Sequence, residues 1–249
     1  KTPMSKTSVT FLLDRSGSME AIKDDTIGAF NAYLGGLSGT SDIIFSLVQF
    51  DSQGLDKVCV RVPVDQAPKL DKDNFKPRSS TPLIDACYKT IKAVEASLNG
   101  DIETKVVICI QTDGHENAST EFTWDQLNAL IKEKTALGWQ FNFMGAGIDA
   151  YDQGARMGIH ASSTMAYGLD SVATNAAFVA SASNTRSFAA GFRASTGYSE
   201  AQKMAAGDVH DKDLQRPRGP GRWPLVQPAP QVAVTRKKPI PPIVDEFKL

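Results

Sequence analysis

The strongest constraint on this chain is an alternation of two patterns. Short, mostly apolar runs occupy 9–13, 43–50, 106–110 and 141–144, of which 106–110 is continuous, the length and character of strands buried on both faces. Between them, apolar residues recur at helical spacing. Ile27, Phe30, Leu34 and Leu37 form one such stripe, and Ile84, Cys87, Ile91, Val94 and Leu98 form a second, stepping by three and four. Thr123 to Gln126 fits a capping box that opens a helix carrying Leu127, Leu130, Ile131 and Leu137. A last amphipathic helix is predicted over 171–187. Val58, Val60, Val62 and Val64 alternate with polar residues, so 57–64 reads as a half-exposed edge strand. Strands alternating with helices imply a mostly parallel sheet covered by helices on both faces. In such sheets ligands bind beyond the carboxyl ends of the strands.

A chain of 249 residues, 41% hydrophobic and 22% charged, builds such a core without disulfides or metals as staples. Basic and acidic residues number 27 and 28, a net charge of −1. That balance argues against a basic nucleic-acid binder and against an acidic solvating chain. Cys59, Cys87 and Cys109 are odd in number, lack metal-ligand spacing and lie in apolar surroundings. They read as buried thiols of a reducing compartment. With no run of 18 apolar residues and no secretory leader pattern, the expectation is a cytoplasmic protein that does not enter membranes.

Composition changes near residue 210. Eight of the 13 prolines lie in 211–249, with eight basic and four acidic residues, leaving 19 basic and 24 acidic residues in the rest. The chain therefore divides into a short extension over 1–6, a folded domain over 7–209 and a proline-rich, extended tail over 210–249.

The strand ends carry oxygen ligands. The first strand runs into Asp14-Arg15-Ser16-Gly17-Ser18, the strand over 106–110 runs into Thr112-Asp113-Gly114, and Ser80-Thr81-Pro82 precedes the second helix. All three loops fall on the same rim, where Asp14, Asp113 and the hydroxyls of Ser16, Ser18 and Thr81 suit a small hard cation such as Mg²⁺. The competing reading of Asp14 and the serines is a solvated turn that caps the first helix.

These positions resemble the metal-ion-dependent adhesion site (MIDAS) of the von Willebrand factor A (VWA) family: D-x-S-x-S, then a Thr, then an Asp in a T-D-G context. The segments FLLDRSGSM, FKPRSSTPLIDA, QTDGHENAST and GWQFNFMGAGIDA resemble a bacterial and phage group of stand-alone VWA proteins, and the likeness extends over about residues 7–205. The resemblance implies a Rossmann-like, doubly wound, mostly parallel sheet with one antiparallel edge strand. It implies that Ser16, Ser18 and Thr81 contact the metal through hydroxyls, and that Asp14 and Asp113 act directly or through water. Mg²⁺ is the expected ion, with Mn²⁺ or Ca²⁺ as alternatives. A donor set rich in hydroxyls and poor in carboxylates disfavours tight Ca²⁺ binding. The implied function is recognition: a protein partner donates an Asp or Glu to the metal, and in prokaryotes that partner includes AAA+ ATPases of the MoxR type carried on another chain. His115 and Glu116, just past Asp113, are the candidate partner-facing rim.

Other signals are weaker. No G-x-S-x-G serine and no P-loop is present. A metal-dependent hydrolase or phosphatase on the same rim, with His115 as base, is the alternative reading. Gly145-Ala146-Gly147-Ile148-Asp149-Ala150, with Asp170 further on, matches a dinucleotide fingerprint, but it lies late in the sheet. The following YDQGARMG, with Gly154 and Gly158, reads as a poor helix. In the tail, Arg236-x-x-Pro239-x-x-Pro242 resembles a polyproline ligand; a linker is the plainer reading.

Overall fold

The computed structural model describes residues 6–40 and 42–208. The tail over 210–249, with its polyproline motif, lies outside the described residues. In chain order the elements are β1 (Thr7–Asp14), a 3₁₀ turn (Gly17–Ile22), α1 (Lys23–Leu37), β2 (Ile43–Asp51), β3 (Gly54–Pro63), α2 (Leu83–Leu98), β4 (Lys105–Thr112), α3 (Trp124–Ala136), β5 (Gln140–Ala146), α4 (Ala150–Met157), β6 (Thr164–Tyr167), α5 (Ser171–Ala189) and α6 (Glu200–Ala205).

The six strands form one sheet in the order β3-β2-β1-β4-β5-β6. All neighbours are parallel except β3, which runs antiparallel to β2 at one edge. This is a doubly wound, Rossmann-type α/β fold. Strand β1 sits between β2 and β4, where the strand order reverses. Asp14 pairs in register with Phe50, and Leu13 with Gln111. The ends of β1 and β4 therefore meet at the topological switch point, where open α/β sheets bind their ligands.

Strand alternation divides the core in two. Phe11 faces α1 and α5, and its ring lies 5.2 Å from Phe30, 5.0 Å from Tyr33 and 5.7 Å from Phe178. Leu12, Ile108, Ile110 and Phe143 face the opposite way and pack with Ile84, Ile91, Val94, Leu127 and Ile131 from α2 and α3. All eight residues of β1 are buried, which explains why its sequence shows no polar alternation.

Several sequence expectations need correction. The stretch after Gly147 forms α4 despite its glycines. A Cβ on Gly154 would lie 2.8 Å from Thr164 Oγ1, and Gly158, at φ 86°, occupies the left-handed C-terminal cap. Close packing against β6 selects glycine there, overriding helix propensity. Strand β6 and helix α6 are too short for periodicity to reveal. Leu137 ends α3 as a 69% exposed cap residue and not as part of its buried stripe. Cys87 and Cys109 are buried thiols, but Cys59, on the edge strand, is only half-buried. Among the described residues no helix is long and apolar enough to cross a membrane.

Phe11→Ala would remove the ring that joins α1 to α5 and should cost about 3–5 kcal/mol in urea unfolding. Leu137→Ala should change stability by no more than about 0.5 kcal/mol.

Candidate metal centre

The carboxyl ends of β1 and β4 bring Asp14 and Thr112 together. Asp14 is fully buried. Its Oδ1 accepts the Ser16 backbone N–H at 2.6 Å, and its Oδ2 accepts the Thr112 hydroxyl at 2.5 Å. Burial pushes the Asp14 carboxyl up to about 6, the Thr112 and Ser16 hydrogen bonds oppose that rise, and the nearby Asp113 charge adds to it. Burial also raises Asp113, against the lowering effect of its bond from Ser18. Among the described residues, the hydrogen-bond donors to both carboxylates are N–H and hydroxyl groups, with no cationic side chain among them.

The hydroxyls converge on the same point. Ser16 Oγ and Ser18 Oγ lie 3.3 Å apart, and Ser18 Oγ donates to Asp113 Oδ1 at 2.6 Å. A Cβ built on Gly114 would lie 3.6 Å from Thr81 Oγ1 and 3.9 Å from Ser18 Oγ, so Gly114 lies between these two hydroxyls. The five residues predicted from the three loops thus gather at one rim. Asp14, Ser16 and Thr81 are buried, Asp113 is half-buried and Ser18 is exposed, so the cluster opens to solvent on one side.

This donor set fits a small divalent ion. Mg²⁺ holds oxygens at about 2.1 Å in an octahedron, which places neighbouring ligand oxygens about 3 Å apart. The 2.6 and 3.3 Å contacts bracket that spacing. The acidic pair supplies charge, and the serine and threonine hydroxyls supply neutral oxygens. Among the described residues no group of three or more His, Cys, Asp or Glu side chains could hold a metal.

A second set of residues, which the sequence did not reveal, holds the loops in place. Glu116, a candidate for the partner-facing rim by its place in sequence, turns its carboxylate inward. It accepts the backbone N–H groups of Ile84 at 2.8 Å, Ala118 at 2.8 Å and Ser119 at 2.7 Å, and the Ser119 hydroxyl at 2.7 Å. Asp85 works in the opposite direction, accepting from the N–H groups of Thr120, Glu121 and Phe122 at 2.9–3.2 Å. These two carboxylates tie the loop after β4 to the first turn of α2, where an acid also complements the helix dipole. Asn117 exchanges hydrogen bonds with the Thr81 backbone, and Gln153 of α4 bridges Gly114 O and Glu116 N. Thr81 and Asp113, 32 residues apart in sequence, thereby share one scaffold. The only sequence signals were an acid in the first turn of α2 and an acid two residues past the T-D-G. His115 is exposed on the rim.

The glycine-rich loop after β5 has a packing role. A Cβ on Gly145 would lie 2.7 Å from Ala150 Cβ, and Gly147, at φ 64°, is covered by Leu169. Asp149 caps α4, and Asp170 caps α5 by accepting the Ala173 N–H at 2.9 Å.

No protein family's sequence profile matches the chain, and no curated protein matches it. Solved structures do. A von Willebrand factor type A protein from Catenulispora acidiphila aligns over 73% of this chain and 43% of its own, at 15% identity and TM-score 0.57. The pilus adhesin SpaC from Lactobacillus rhamnosus GG, in its open conformation, aligns over 76% of this chain and 31% of its own, at 13% identity and TM-score 0.60. The vWF domain of the pilus tip protein Mfa5 from Porphyromonas gingivalis aligns over 76% and 97%, at 9% identity and TM-score 0.55. This chain therefore spans less than half the length of the first two. At these identities the likeness is one of fold: the sheet and its helices have the architecture of von Willebrand factor A domains.

The buried Asp14 carboxylate has a measurable consequence. Its folded value of about 6 lies above the ordinary 3.8, so the folded state holds the proton more tightly than the unfolded one. Without metal, stability from this group is full below about pH 4 and is lost as pH rises to about 6, on the order of 3 kcal/mol. In chelator, Asp14→Asn should be more stable than wild type in urea at pH 7.5, and that advantage should shrink as the pH falls towards 4.

Proposed function

We propose that this chain is a metal-dependent protein-interaction module. Its divalent cation, Mg²⁺ or Mn²⁺, is held by Ser16, Ser18 and Thr81 with Asp14 and Asp113. The observation that carries the reading is the convergence of three hydroxyls and two carboxylates from three separate loops at the switch point of the sheet. Bound there, the ion supplies a positive centre with an open side for a carboxylate of the partner.

The protein's own residues set the conditions for that recognition. Asp14, clamped by Thr112 and Ser16, lies too deep to touch a partner, so its charge bears on the site from beneath. Ser18 and Asp113 form the accessible wall. Glu116 and Asp85 keep the loop after β4 against α2 and so fix the distance between Asp113 and Thr81. Under the family resemblance the partner is a protein presenting Asp or Glu, an AAA+ ATPase of the MoxR type on another chain being the prokaryotic example. The structures similar in fold include pilus adhesins, in keeping with recognition as the role.

Titration calorimetry should show saturable binding of Mg²⁺ or Mn²⁺ to the chelator-stripped wild type and none to Asp14→Ala. Partner capture in pull-downs should require the metal, be reversed by chelator and be lost in Asp14→Ala. Undiminished capture by that variant would overturn the proposal.

A further inference from the structure

The residue between Asp14 and Ser16 is an arginine, and its side chain leaves the metal cluster on the opposite side. Arg15 is buried, 7% exposed, and points towards β2 and β3. Its Nε donates to Asp51 Oδ2 at 3.0 Å. Arg78 Nε donates to the same oxygen at 2.8 Å. Asp51 is almost fully buried, and its other oxygen accepts the Gln53 N–H at 2.7 Å. One buried carboxylate thus aims two guanidinium groups. The segment that carries Arg78 is joined to the metal loop, because Arg78 N–H donates to Arg15 O at 2.8 Å and Gly17 N–H donates to Ser79 O at 2.9 Å.

Beside the two guanidinium groups lies a cavity of about 300 Å³ that also takes in Lys76, Asn74, Asp56 and Asp73. That volume suits a single side chain or small group. Asp51 uses only the Nε of each arginine, and a guanidinium has five N–H donors. Arg78 is half-exposed, so its outer fork reaches the cavity. Arg15 Nη1 is bound at 2.7 Å by Asp56, whose side chain is 52% exposed on edge strand β3. A carboxylate on an exposed edge, seated on a buried arginine, stands where a ligand's acid would sit. Asp73 is exposed on the outer wall, where its negative charge opposes an incoming acid.

We propose that this cavity is a second anion subsite, which takes an acidic side chain of the same partner that reaches the metal, with Asp56 as its internal placeholder. The proposal rests on the metal-dependent reading and adds the partner's chemistry: an acidic segment with two carboxylates, one for the ion and one for the Arg15–Arg78–Lys76 wall. Arg78 and Lys76 set specificity by forming charge-assisted hydrogen bonds to the second acid.

The test uses the full chain and a fluorescent octaglutamate peptide, followed by anisotropy with Mg²⁺ and with chelator. Lys76→Glu and Arg78→Ala should each weaken binding about five- to tenfold, and Asp56→Asn should strengthen it about two- to threefold. Calorimetric Mn²⁺ binding should be unchanged in all three. Lys76→Glu touches none of the Asp51 contacts, so its result stands even if Arg78→Ala disturbs folding. Binding by Lys76→Glu and Arg78→Ala equal to wild type would overturn the subsite. Binding that ignores chelator yet still falls in Lys76→Glu would support the subsite and overturn the metal reading.

Discussion

Asp14 is carried into the interior by β1, a strand buried along its whole length and hydrogen-bonded to a parallel neighbour on each side. A carboxylate in that position has lost its water, and burial is the main cause that pushes its pKa up to about 6. Much of what surrounds it is compensation. Thr112 reaches across from β4, and the chain turns sharply enough for the Ser16 N–H to point back at it. That turn presents Ser16 and Ser18 on the same side. The geometry of the rim therefore follows from the need to satisfy one buried acid at the end of the central strand.

Around this point the polar network has a layered order. Asp14 is held by its immediate neighbours in space, Thr81 and Asp113 by loops, and the loops by Glu116, Asp85, Asn117 and Gln153. Asp51 does the same on the other flank by holding Arg15 and Arg78. Most of these acids accept backbone N–H groups of the loops they hold. Carboxylates that look like surface charges in the sequence thus act as internal clamps.

Asp14, Ser16, Ser18 and Asp113 were readable because they follow apolar runs whose direction in the sheet could be inferred, and Thr81 because it completes the resemblance to the VWA metal site. The clamps were not readable, because their meaning depends on contacts made across more than 30 residues. Glu116 shows the difference. As a loop residue beside a T-D-G it belongs to the rim by position, yet its carboxylate turns inward to donors of its own loop and to the Ile84 N–H in the first turn of α2. Gly154 shows it in the opposite sense: a helix-weakening residue is required where Thr164 leaves no room for a Cβ.

By itself the sequence determined the class of fold, the continuity of the buried strands, the helical faces and the set of residues that meet at the strand ends. Hydrophobic periodicity and chain direction are local properties, and together they leave few ways to arrange parallel strands and helices. Tertiary structure alone decided which carboxylates face the rim and which are turned inward. It also decided that β6 and the short α4 and α6 complete the far side of the sheet, and that two arginines share one buried aspartate. Hydrogen bonds of this kind depend on which donors are left unpaired once the backbone is in place, and that is known only when the chain has folded.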